Sequence, residues 1–318
     1  MRIFVTGASG FVGGAAVRRF VGDGHDVRAM SRSARSDARI SEAGAKPVRC
    51  SLEQIAAKDI GDVDVVLHCA AFVDDWGPRE AWYEGNVIGT KHVLAAAREG
   101  GAKRFIHIGT EAAIVHGQDI ENADESYPLA PDSPYPYCAT KAQAEQLVRD
   151  ANAEGFTTIV LRPRFIWGPG DTTLLPAIGA MAGKWRWIDG GRARTSTTHV
   201  DNLVHAIVLA LTRGKGGEAY FILDDGATTM KDMITALAST RDVKLPDKSV
   251  PGWVASAIGW TSESLWRLLP LPGNPPLTRH AAMVMARTCV LIDDKARDEL
   301  EYAPVISREE GLRRMRAA

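Results

Sequence analysis

Tyr137 and Lys141 could together carry proton-transfer chemistry. They lie four residues apart in a segment with a helical pattern over 137–153, so they share one face of the predicted helix. A tyrosine has an ordinary pKa of about 10, and a nearby ammonium group lowers that pKa by favouring the phenolate. Tyr137 is therefore a candidate acid–base toward an alcohol or a ketone, with Lys141 lowering its pKa. The alternative is a surface tyrosine beside a solvated lysine. Tyr135 lacks the same spacing, because position 139 is alanine.

A third candidate, Thr110, comes directly after a predicted strand over 105–108. Open α/β sheets place their sites at the carboxyl ends of strands. The hydroxyl of Thr110 could therefore hydrogen-bond the substrate oxygen and orient it. The alternative is a hydroxyl that caps a helix or a turn. Glu111 is a second candidate at the same place, or else a solvated loop charge.

A glycine-rich loop near the N-terminus predicts a dinucleotide site. It joins a predicted strand over 3–5 to a predicted helix over 13–22. Gly7 permits the sharp turn, Gly10 lets the backbone approach a pyrophosphate, and Gly13 allows close packing of helix and strand. The candidate cofactor contacts in this loop are Gly7, Ser9, Gly10, Phe11, Val12 and Gly13.

The end of the second predicted strand, over 27–30, bears on which cofactor binds. An NAD enzyme usually has an acidic residue there, whereas this chain has Ser31 followed by Arg32, with Arg35 nearby. A guanidinium pairs with a 2′-phosphate that a carboxylate would repel. The sequence therefore favours NADP. NAD is the alternative, since Arg32 could be a solvated loop charge.

The alternation of predicted strands and helices over the first half of the chain indicates a parallel sheet with helices on both faces. We expect an α/β fold, with a doubly wound parallel-sheet Rossmann domain and a smaller mixed α/β C-terminal substrate domain. The first is predicted over 1–165, with 196–226 returning to it, and the second over 166–195 and 227–318. An apolar helix predicted over 251–269 carries Trp253, Trp260 and Trp266. It could roof an apolar pocket, or pack into the C-terminal core or against a partner.

Composition excludes several classes of function. With 45% hydrophobic and 24% charged residues and a net charge of -1, the chain shows no electrostatic case for binding nucleic acid. Its four cysteines have no paired spacing, which argues against a metal site and against disulfides and predicts a cytoplasmic protein. The N-terminus enters a strand at once, and no apolar run is long enough to span a bilayer.

Taken together, these motifs resemble the extended short-chain dehydrogenases/reductases of the NAD-dependent epimerase/dehydratase family. Within that family, the resemblance is strongest to the 3β-hydroxysteroid/sterol dehydrogenase branch and the dihydroflavonol-reductase-like proteins near it. The motifs that carry it, in chain order, are Thr6-Gly7-x-x-Gly10-x-x-Gly13, Asp64-Val65-Val66-x-His68-x-Ala70-Ala71, Asn86-x-x-Gly89-Thr90, Tyr137-x-x-x-Lys141, Leu161-Arg162-Pro163, Gly168-Pro169-Gly170-Asp171 and His199-Val200-Asp201.

The resemblance implies further roles. It makes Thr110 the hydroxyl partner of Tyr137, places Ala70 and Ala71 at the nicotinamide ribose together with Lys141, and puts Pro163 behind the nicotinamide. It also implies a homodimer that pairs the helix over 84–99 with the helix that begins near Tyr137. Two departures from the family pattern are Gly109-Thr110 in place of Ser-Ser, and Cys50-Ser51-Leu52 where an aspartate usually touches adenine.

The function predicted from the sequence is an NADP(H)-dependent oxidoreductase that interconverts a secondary alcohol and a ketone on a bulky hydrophobic, sterol-like substrate. The alternative is a nucleotide-sugar epimerase or dehydratase that uses the same Tyr-Lys pair. Its substrate pyrophosphate could be held by Arg164, Arg192 and Arg194, which could also be surface charges. A silent cofactor-binding scaffold is disfavoured, because Tyr137 and Lys141 are both present.

Overall fold

A computed structural model describes residues 1–172, 174–269 and 271–317. Its strands, in chain order, are β1 (Arg2–Thr6), β2 (Asp26–Ser31), β3 (Lys46–Arg49), β4 (Val65–His68), β5 (Arg104–Ile108), β6 (Ile120–Ala123), β7 (Thr157–Pro163), β8 (Ile166–Trp167), β9 (Trp187–Ile188), β10 (Arg194–Thr195), β11 (Thr198–His199), β12 (Glu218–Ile222), β13 (Thr228–Thr229), β14 (Ser249–Val250) and β15 (Cys289–Leu291).

The α-helices of the described residues are α1 (Phe11–Gly22), α2 (Ala34–Glu42), α3 (Ala57–Ile60), α4 (Arg79–Trp82), α5 (Gly89–Glu99), α6 (Pro136–Asp150), α7 (Leu174–Met181), α8 (Val200–Ala210), α9 (Met230–Ser239), α10 (Gly252–Leu268), α11 (Arg279–Ala286), α12 (Asp294–Glu299) and α13 (Arg308–Ala317). A π-helical stretch, Tyr83–Ile88, leads into α5, and short 3-10 helices lie at Glu111–Ile114, Ala182–Lys184 and Asp189–Gly191.

The described residues form a seven-stranded sheet in the order β12-β7-β5-β4-β1-β2-β3, in which all neighbours are parallel. The strand order reverses between β1 and β4, since the chain runs outward through β2 and β3 before it returns. In open α/β sheets a ligand binds outside the carboxyl ends of the strands at such a point. The ends of β1, β4 and β5 therefore mark the crevice where the site is expected.

Helices cover both faces of this sheet, as a parallel sheet requires. On one face α1 packs against α8, and the core there includes Val5, Leu67 and Ile207. The other face is covered by α3, α5 and α6 over a core that includes Phe4 and Phe105. Phe4 and Val5 point to opposite faces because side chains alternate along a strand. The doubly wound sheet predicted from the sequence is confirmed.

A smaller sheet, in the order β13-β10-β15-β6, mixes parallel and antiparallel neighbours. This smaller mixed part is also as predicted, whereas the exact residue boundaries of the two domains stay a prediction. β12, which lies in the segment expected to return, pairs with β7 at the edge of the large sheet. Within the described ranges, no helix has both the length and the apolar character needed to cross a membrane.

Candidate active site

The loop between β1 and α1 has the geometry of a phosphate-binding turn. Gly7 has a φ of +70°, and a Cβ there would lie 2.8 Å from the backbone nitrogen of Ala70. A Cβ on Gly13 would lie 2.3 Å from the carbonyl oxygen of Gly7, so the helix and the turn pack too closely for a side chain. Gly10 is the N-cap residue of α1, and no side chain caps the helix there. The amides of the first turn are therefore available to an anion. The loop therefore fits the pyrophosphate of a dinucleotide.

A cleft of about 430 Å³ opens beside this loop and is lined by Ser9, Gly10 and Phe11. Arg39 of α2 lines the same cleft, and its Nη1 donates to the carbonyl oxygen of Ser9 at 3.4 Å. Sequence reasoning missed Arg39, because its spacing does not connect it with the loop. The side chain of Val12 packs against the core, so this residue can offer the cleft only its backbone.

The end of β2 presents one buried and one exposed residue. Ser31 is buried, and its Oγ donates to the carbonyl oxygen of Ser33 at 3.1 Å. The hydroxyl of Ser31 and the guanidinium of Arg49 lower the pKa of Asp37, so this nearby carboxylate is paired within the protein. Arg32 is exposed directly after β2, where the sequence predicts recognition of the 2′ substituent of a dinucleotide.

A cavity of about 390 Å³ lies beyond the carboxyl ends of β4, β5 and β7. Thr110, Tyr137 and Pro163 all line it. Phe11 of the glycine loop lines both this cavity and the cleft at the loop, so the two spaces adjoin. Apolar or weakly polar side chains make up much of the remaining lining, namely Val73, Ala112, Val115, Ile120, Cys138, Phe165, Ile166, Leu174, Met283, Val284 and Cys289.

Thr110 caps the 3-10 helix Glu111–Ile114 and is part of a buried polar chain at the cavity wall. Its Oγ1 donates to Oε2 of Glu111 at 2.7 Å. Arg164 donates from Nη1 to Oε1 of Glu111 at 2.5 Å and from Nε to Oγ1 of Thr195 at 2.9 Å. Glu111 and Arg164 are both buried, so Glu111 is one half of an internal ion pair rather than a solvated loop charge.

Tyr137 is half-buried at the cavity wall, and its environment favours the neutral phenol. Burial is the largest cause that raises the pKa of Tyr137, and the Glu111 carboxylate is the next. A hydrogen bond with Thr110 acts in the opposite direction but does not cancel the rise. The sequence predicts a lowered pKa, because it considers the ammonium of Lys141 and leaves out burial. In this structure Tyr137 is therefore held in the form that can donate a proton.

Lys141 lies one turn further along α6 and is buried. Its Nζ donates to the carbonyl oxygen of Ile108, at the end of β5, at 3.0 Å. Burial lowers the pKa of Lys141 to about 8, while the carboxylate of Glu145 opposes that change. Among the described residues, Lys141 is not part of the cavity lining, so it stands behind Tyr137 rather than beside the substrate space.

We expect Glu111→Gln to lower the pKa of Tyr137, because it removes a carboxylate that raises this pKa. A proton donor acts only while protonated, so ketone reduction is lost as the pH rises through the pKa of Tyr137. The lower pKa moves that loss to lower pH, by about one pH unit. The measurement is kcat/KM for ketone reduction from about pH 8 to the highest pH at which the protein stays folded, because the raised pKa of Tyr137 places the loss above the ordinary tyrosine pKa of about 10.

Asp75→Asn is a matched control for this prediction. The Asp75 carboxylate acts on the pKa of Tyr137 in the same direction as Glu111, but it is a smaller cause. The pH at which ketone reduction is lost on the alkaline side should therefore move less in Asp75→Asn than in Glu111→Gln. Loss at the same pH in Glu111→Gln and in the unchanged protein would contradict the assignment.

Ala70 and Ala71 lie in the loop after β4, in the crevice between β4 and β1. The backbone nitrogen of Ala70 donates to Oγ1 of Thr6 at 3.2 Å, which ties this loop to the end of β1. Asn86 holds the next residue, since it accepts from the backbone nitrogen of Phe72 at 2.7 Å and donates to its carbonyl oxygen at 3.1 Å. Within the described ranges, neither alanine lines the Tyr137 cavity.

Sequence reasoning missed two polar residues at the cavity. His280 of α11 lies beside Tyr137, with the ring centroids 5.6 Å apart. Its Nδ1 is 3.6 Å from Oδ1 of Asp75, in the loop after β4. Both residues line the cavity. The C-terminal part of the chain therefore contributes a polar side chain directly next to the candidate acid–base.

The three arginines considered for a substrate pyrophosphate do not come together at the cavity. Arg164 lines it, but this guanidinium is paired with Glu111. Arg192 and Arg194 are exposed, and in the described part of the chain neither belongs to the cavity lining. Arg287 also lines the cavity, and its Nη1 lies 3.4 Å from Oδ2 of Asp119. The described residues of the lining therefore include no cluster of unpaired guanidinium groups for a diphosphate.

The tryptophans of α10 do not roof the Tyr137 cavity, whose lining in the described residues includes no part of that helix. Trp253 and Trp260 instead line a separate groove beside α11. Trp266 is half-buried, and its Nε1 donates to the carbonyl oxygen of Gly273 at 3.1 Å. Trp253 and Trp260 therefore form a wall of a groove next to the cavity and do not form its roof.

Residues 3–222 match the NAD dependent epimerase/dehydratase family. The chain is 41% identical to the 4-hydroxy-2-methyl-3-oxo-4-farnesyl-3,4-dihydroquinoline-1-oxide ketoreductase of Stigmatella aurantiaca, over 100% of this chain and 96% of the relative. It is 36% identical to the 2-alkyl-3-oxoalkanoate reductase of Stenotrophomonas maltophilia, over 100% and 99%. It is 29% identical to the decarboxylating sterol-4-alpha-carboxylate 3-dehydrogenase of Dictyostelium discoideum, over 98% of each.

Solved structures share the same fold. One is the UDP-glucose 4-epimerase of Thermotoga maritima, determined with UDP-glucose, which aligns with a TM-score of 0.76 over 100% of this chain and 98% of that one. The two sequences are 21% identical, so this likeness concerns the fold and not the substrate.

Proposed function

Since the chain belongs to the NAD-dependent epimerase/dehydratase family of extended short-chain dehydrogenases/reductases, we propose that it is an NADP(H)-dependent ketone reductase for bulky hydrophobic substrates. One observation carries this proposal. The cavity at Tyr137 is mainly apolar, and its buried guanidinium, Arg164, is already paired with Glu111. A nucleotide sugar would bring two phosphates, and burying charges without partners is very costly. An apolar ketone needs only the area that this lining offers.

The residues of the site support a simple division of roles. The glycine loop, Ala70, Pro163 and Lys141 would hold the dinucleotide, which when bound supplies a hydride to the carbonyl carbon. Thr110 would orient the substrate oxygen, and Tyr137 would donate a proton to that oxygen as the alcohol forms. The carboxylate of Glu111 raises the pKa of Tyr137 and so helps to keep it protonated, the form that this step requires.

The names of two relatives suggest a narrower substrate class. Each describes a 3-oxo group next to an alkylated carbon 2, and each relative is named as a reductase. A ketone flanked by an alkyl branch needs a wide, apolar space around the carbonyl group. We therefore infer that 2-alkyl-3-oxo compounds and related cyclic ketones are substrates of this protein.

The test is a panel of 2-alkyl-3-oxo esters, cyclic ketones and a 3-oxosteroid, each assayed by the loss of NADPH fluorescence. UDP-hexoses are assayed in parallel for epimerisation. Reduction of a hydrophobic ketone with no effect on UDP-hexoses is the expected result. Epimerisation of a UDP-hexose by the purified protein would overturn the proposal in favour of the nucleotide-sugar alternative.

Cofactor choice gives a separate prediction. Arg32 should pair with the 2′-phosphate, so NADPH is expected to bind at least about tenfold more tightly than NADH, or about 1.4 kcal/mol. Arg32→Ala should remove most of that preference, because it leaves NADH binding nearly unchanged and weakens NADPH binding. Equilibrium titration of both cofactors by fluorescence measures the two Kd values.

Arg192→Ala is the control for this experiment, since Arg192 is equally exposed but lies in the C-terminal part of the chain. It should leave the ratio of the two Kd values unchanged. Equal affinity of the unchanged protein for NADPH and NADH would show that the recognition of a 2′-phosphate by Arg32 is wrong, and would restore NAD as the cofactor.

Two further expectations stay predictions. The homodimer implied by the resemblance would bring α5 and α6 of one protomer against the same helices of its partner, as a two-fold interface requires. The cytoplasmic location follows from the unpaired cysteine spacing.

A further inference from the structure

A second groove, of about 700 Å³, lies beside the Tyr137 cavity. One wall is the face of α10 that carries Trp253 and Trp260, which are 76% and 61% exposed. The opposite wall is formed by Met283 of α11 and by Arg287, which directly follows that helix. Large exposed aromatic side chains in a concave surface are typical of a site that binds an apolar ligand or the apolar part of one. We call this space the α10–α11 groove.

The α10–α11 groove and the Tyr137 cavity share part of their walls. Met283 and Arg287 line both spaces. Met283 lies on α11, and Arg287 directly follows the last residue of that helix, where its backbone nitrogen donates to the carbonyl oxygen of Met283 at 2.9 Å. The two residues therefore form one continuous edge between cavity and groove. The methionine side chain is unbranched and flexible, so it adapts to ligands of different shape. The methylene groups of arginine can pack against apolar groups while the guanidinium stays in water. This edge can therefore accommodate a chain that lies across it.

Arg287 is held at this edge by a surface contact. Its Nη1 lies 3.4 Å from Oδ2 of Asp119, and both side chains are about half exposed. An exposed ion pair of this kind contributes little free energy, so it does not fix the arginine stem in place. Among the described residues, the charged side chains that line the groove are Asp189, Arg279 and Arg287, and the guanidinium of Arg279 lies over the ring of Tyr135. The two indoles are the largest apolar groups that the groove exposes.

We propose that the α10–α11 groove binds the apolar tail of a substrate whose ketone lies beside Tyr137. The proposal rests on the ketone reductase function, and it adds that long alkyl or isoprenoid ketones are preferred to short ones. The ketone end occupies the cavity, and the tail crosses Met283 and Arg287 to lie against Trp253 and Trp260. Each methylene that the groove removes from water should raise kcat/KM by roughly two- to fourfold.

The first test is a homologous series of unbranched ketones, from about six to about fourteen carbons, which spans tails that fit one or both spaces. The quantity compared is kcat/KM for the longest ketone divided by kcat/KM for the shortest. This ratio should fall at least tenfold in the double variant Trp253→Ala with Trp260→Ala. Leu268→Ala is the matched control, because Leu268 is exposed on the same helix and is outside the groove lining in the described residues.

A second readout does not depend on turnover. A long alkyl ketone with a terminal bromine should quench indole fluorescence, and the double variant should lose most of that quenching. If the unchanged protein reduces no ketone but still shows this quenching, the groove binds alkyl chains and the proposed reductase function is wrong. If every variant reduces ketones with the same ratio of kcat/KM between the longest and the shortest, the groove proposal is wrong and the reductase function is supported. Loss of a dimer in the double variant, seen by light scattering, would assign this face to subunit contact instead.

Discussion

Tyr137→Phe will lower kcat for ketone reduction at least about a hundredfold, the usual cost of a lost acid–base group. The substitution removes the hydroxyl and keeps the half-buried ring that lies beside His280. Because the cleft at the glycine loop does not include Tyr137, the affinity for NADPH should stay near normal. Steady-state turnover of a reduced ketone and fluorescence titration of NADPH measure the two quantities.

Tyr135→Phe is the natural control, because Tyr135 precedes Tyr137 by two residues and its ring also lies near His280, at 5.9 Å. In the described part of the chain Tyr135 does not line the Tyr137 cavity. Its turnover of a short ketone should fall by less than about threefold, in contrast with the loss of a proton donor. A fully active Tyr137→Phe protein would contradict the acid–base assignment.

The parts of the site that could be predicted from the sequence are those made by neighbouring residues. Gly13, in the first turn of α1, leaves no room for a side chain because of Gly7, which lies only six residues before it, whereas the close contact of Gly7 with Ala70 depends on the pairing of β1 with β4. Thr110 follows β5 directly, and the order of parallel strands then places it at the same edge as Pro163. The family resemblance, including its sterol dehydrogenase branch, is likewise confirmed by the relatives.

The contacts that sequence reasoning missed join segments that are distant along the chain. The pair of Glu111 with Arg164 and the contact of His280 with Asp75 both depend on how the two parts of the chain pack. The direction of the pKa of Tyr137 was missed for a related reason. The spacing to Lys141 can be counted in the sequence, whereas the burial that dominates this pKa cannot.

The smaller sheet shows the same limit. β10 and β13 are two residues long and pair with each other. β10 also pairs with β15 from near the C-terminus, and β15 pairs with β6 from the first half of the chain. A two-residue strand has no detectable alternation of polar and apolar residues. Such strands form because tertiary packing brings their backbones together, so the pattern of either segment alone does not predict them.

A buried ion pair beneath the site leads to the prediction about stability. Arg162 of β7 donates from Nε to Oε2 of Glu145 on α6 at 2.9 Å, and its Nη2 also donates to this carboxylate. Both side chains are fully buried, and the guanidinium lies over the ring of Phe221. Glu145 is one turn after Lys141, and Arg162 directly precedes Pro163. The pair therefore holds α6 on the sheet at the level of the candidate active site.

Glu145→Ala should lower the free energy of unfolding by about 3–5 kcal/mol, because it leaves the guanidinium of Arg162 buried without its partner. Thermal and denaturant unfolding measure this loss. Glu310→Ala is the control, since Glu310 also pairs with arginine but lies at the surface, where such pairs contribute at most about 1 kcal/mol. Changing both partners, with Glu145→Leu and Arg162→Met, should recover most of the loss, since no charge then remains buried. A double variant no more stable than Glu145→Ala would show that the cost lies in the shape of the packing and not in the unpaired charge.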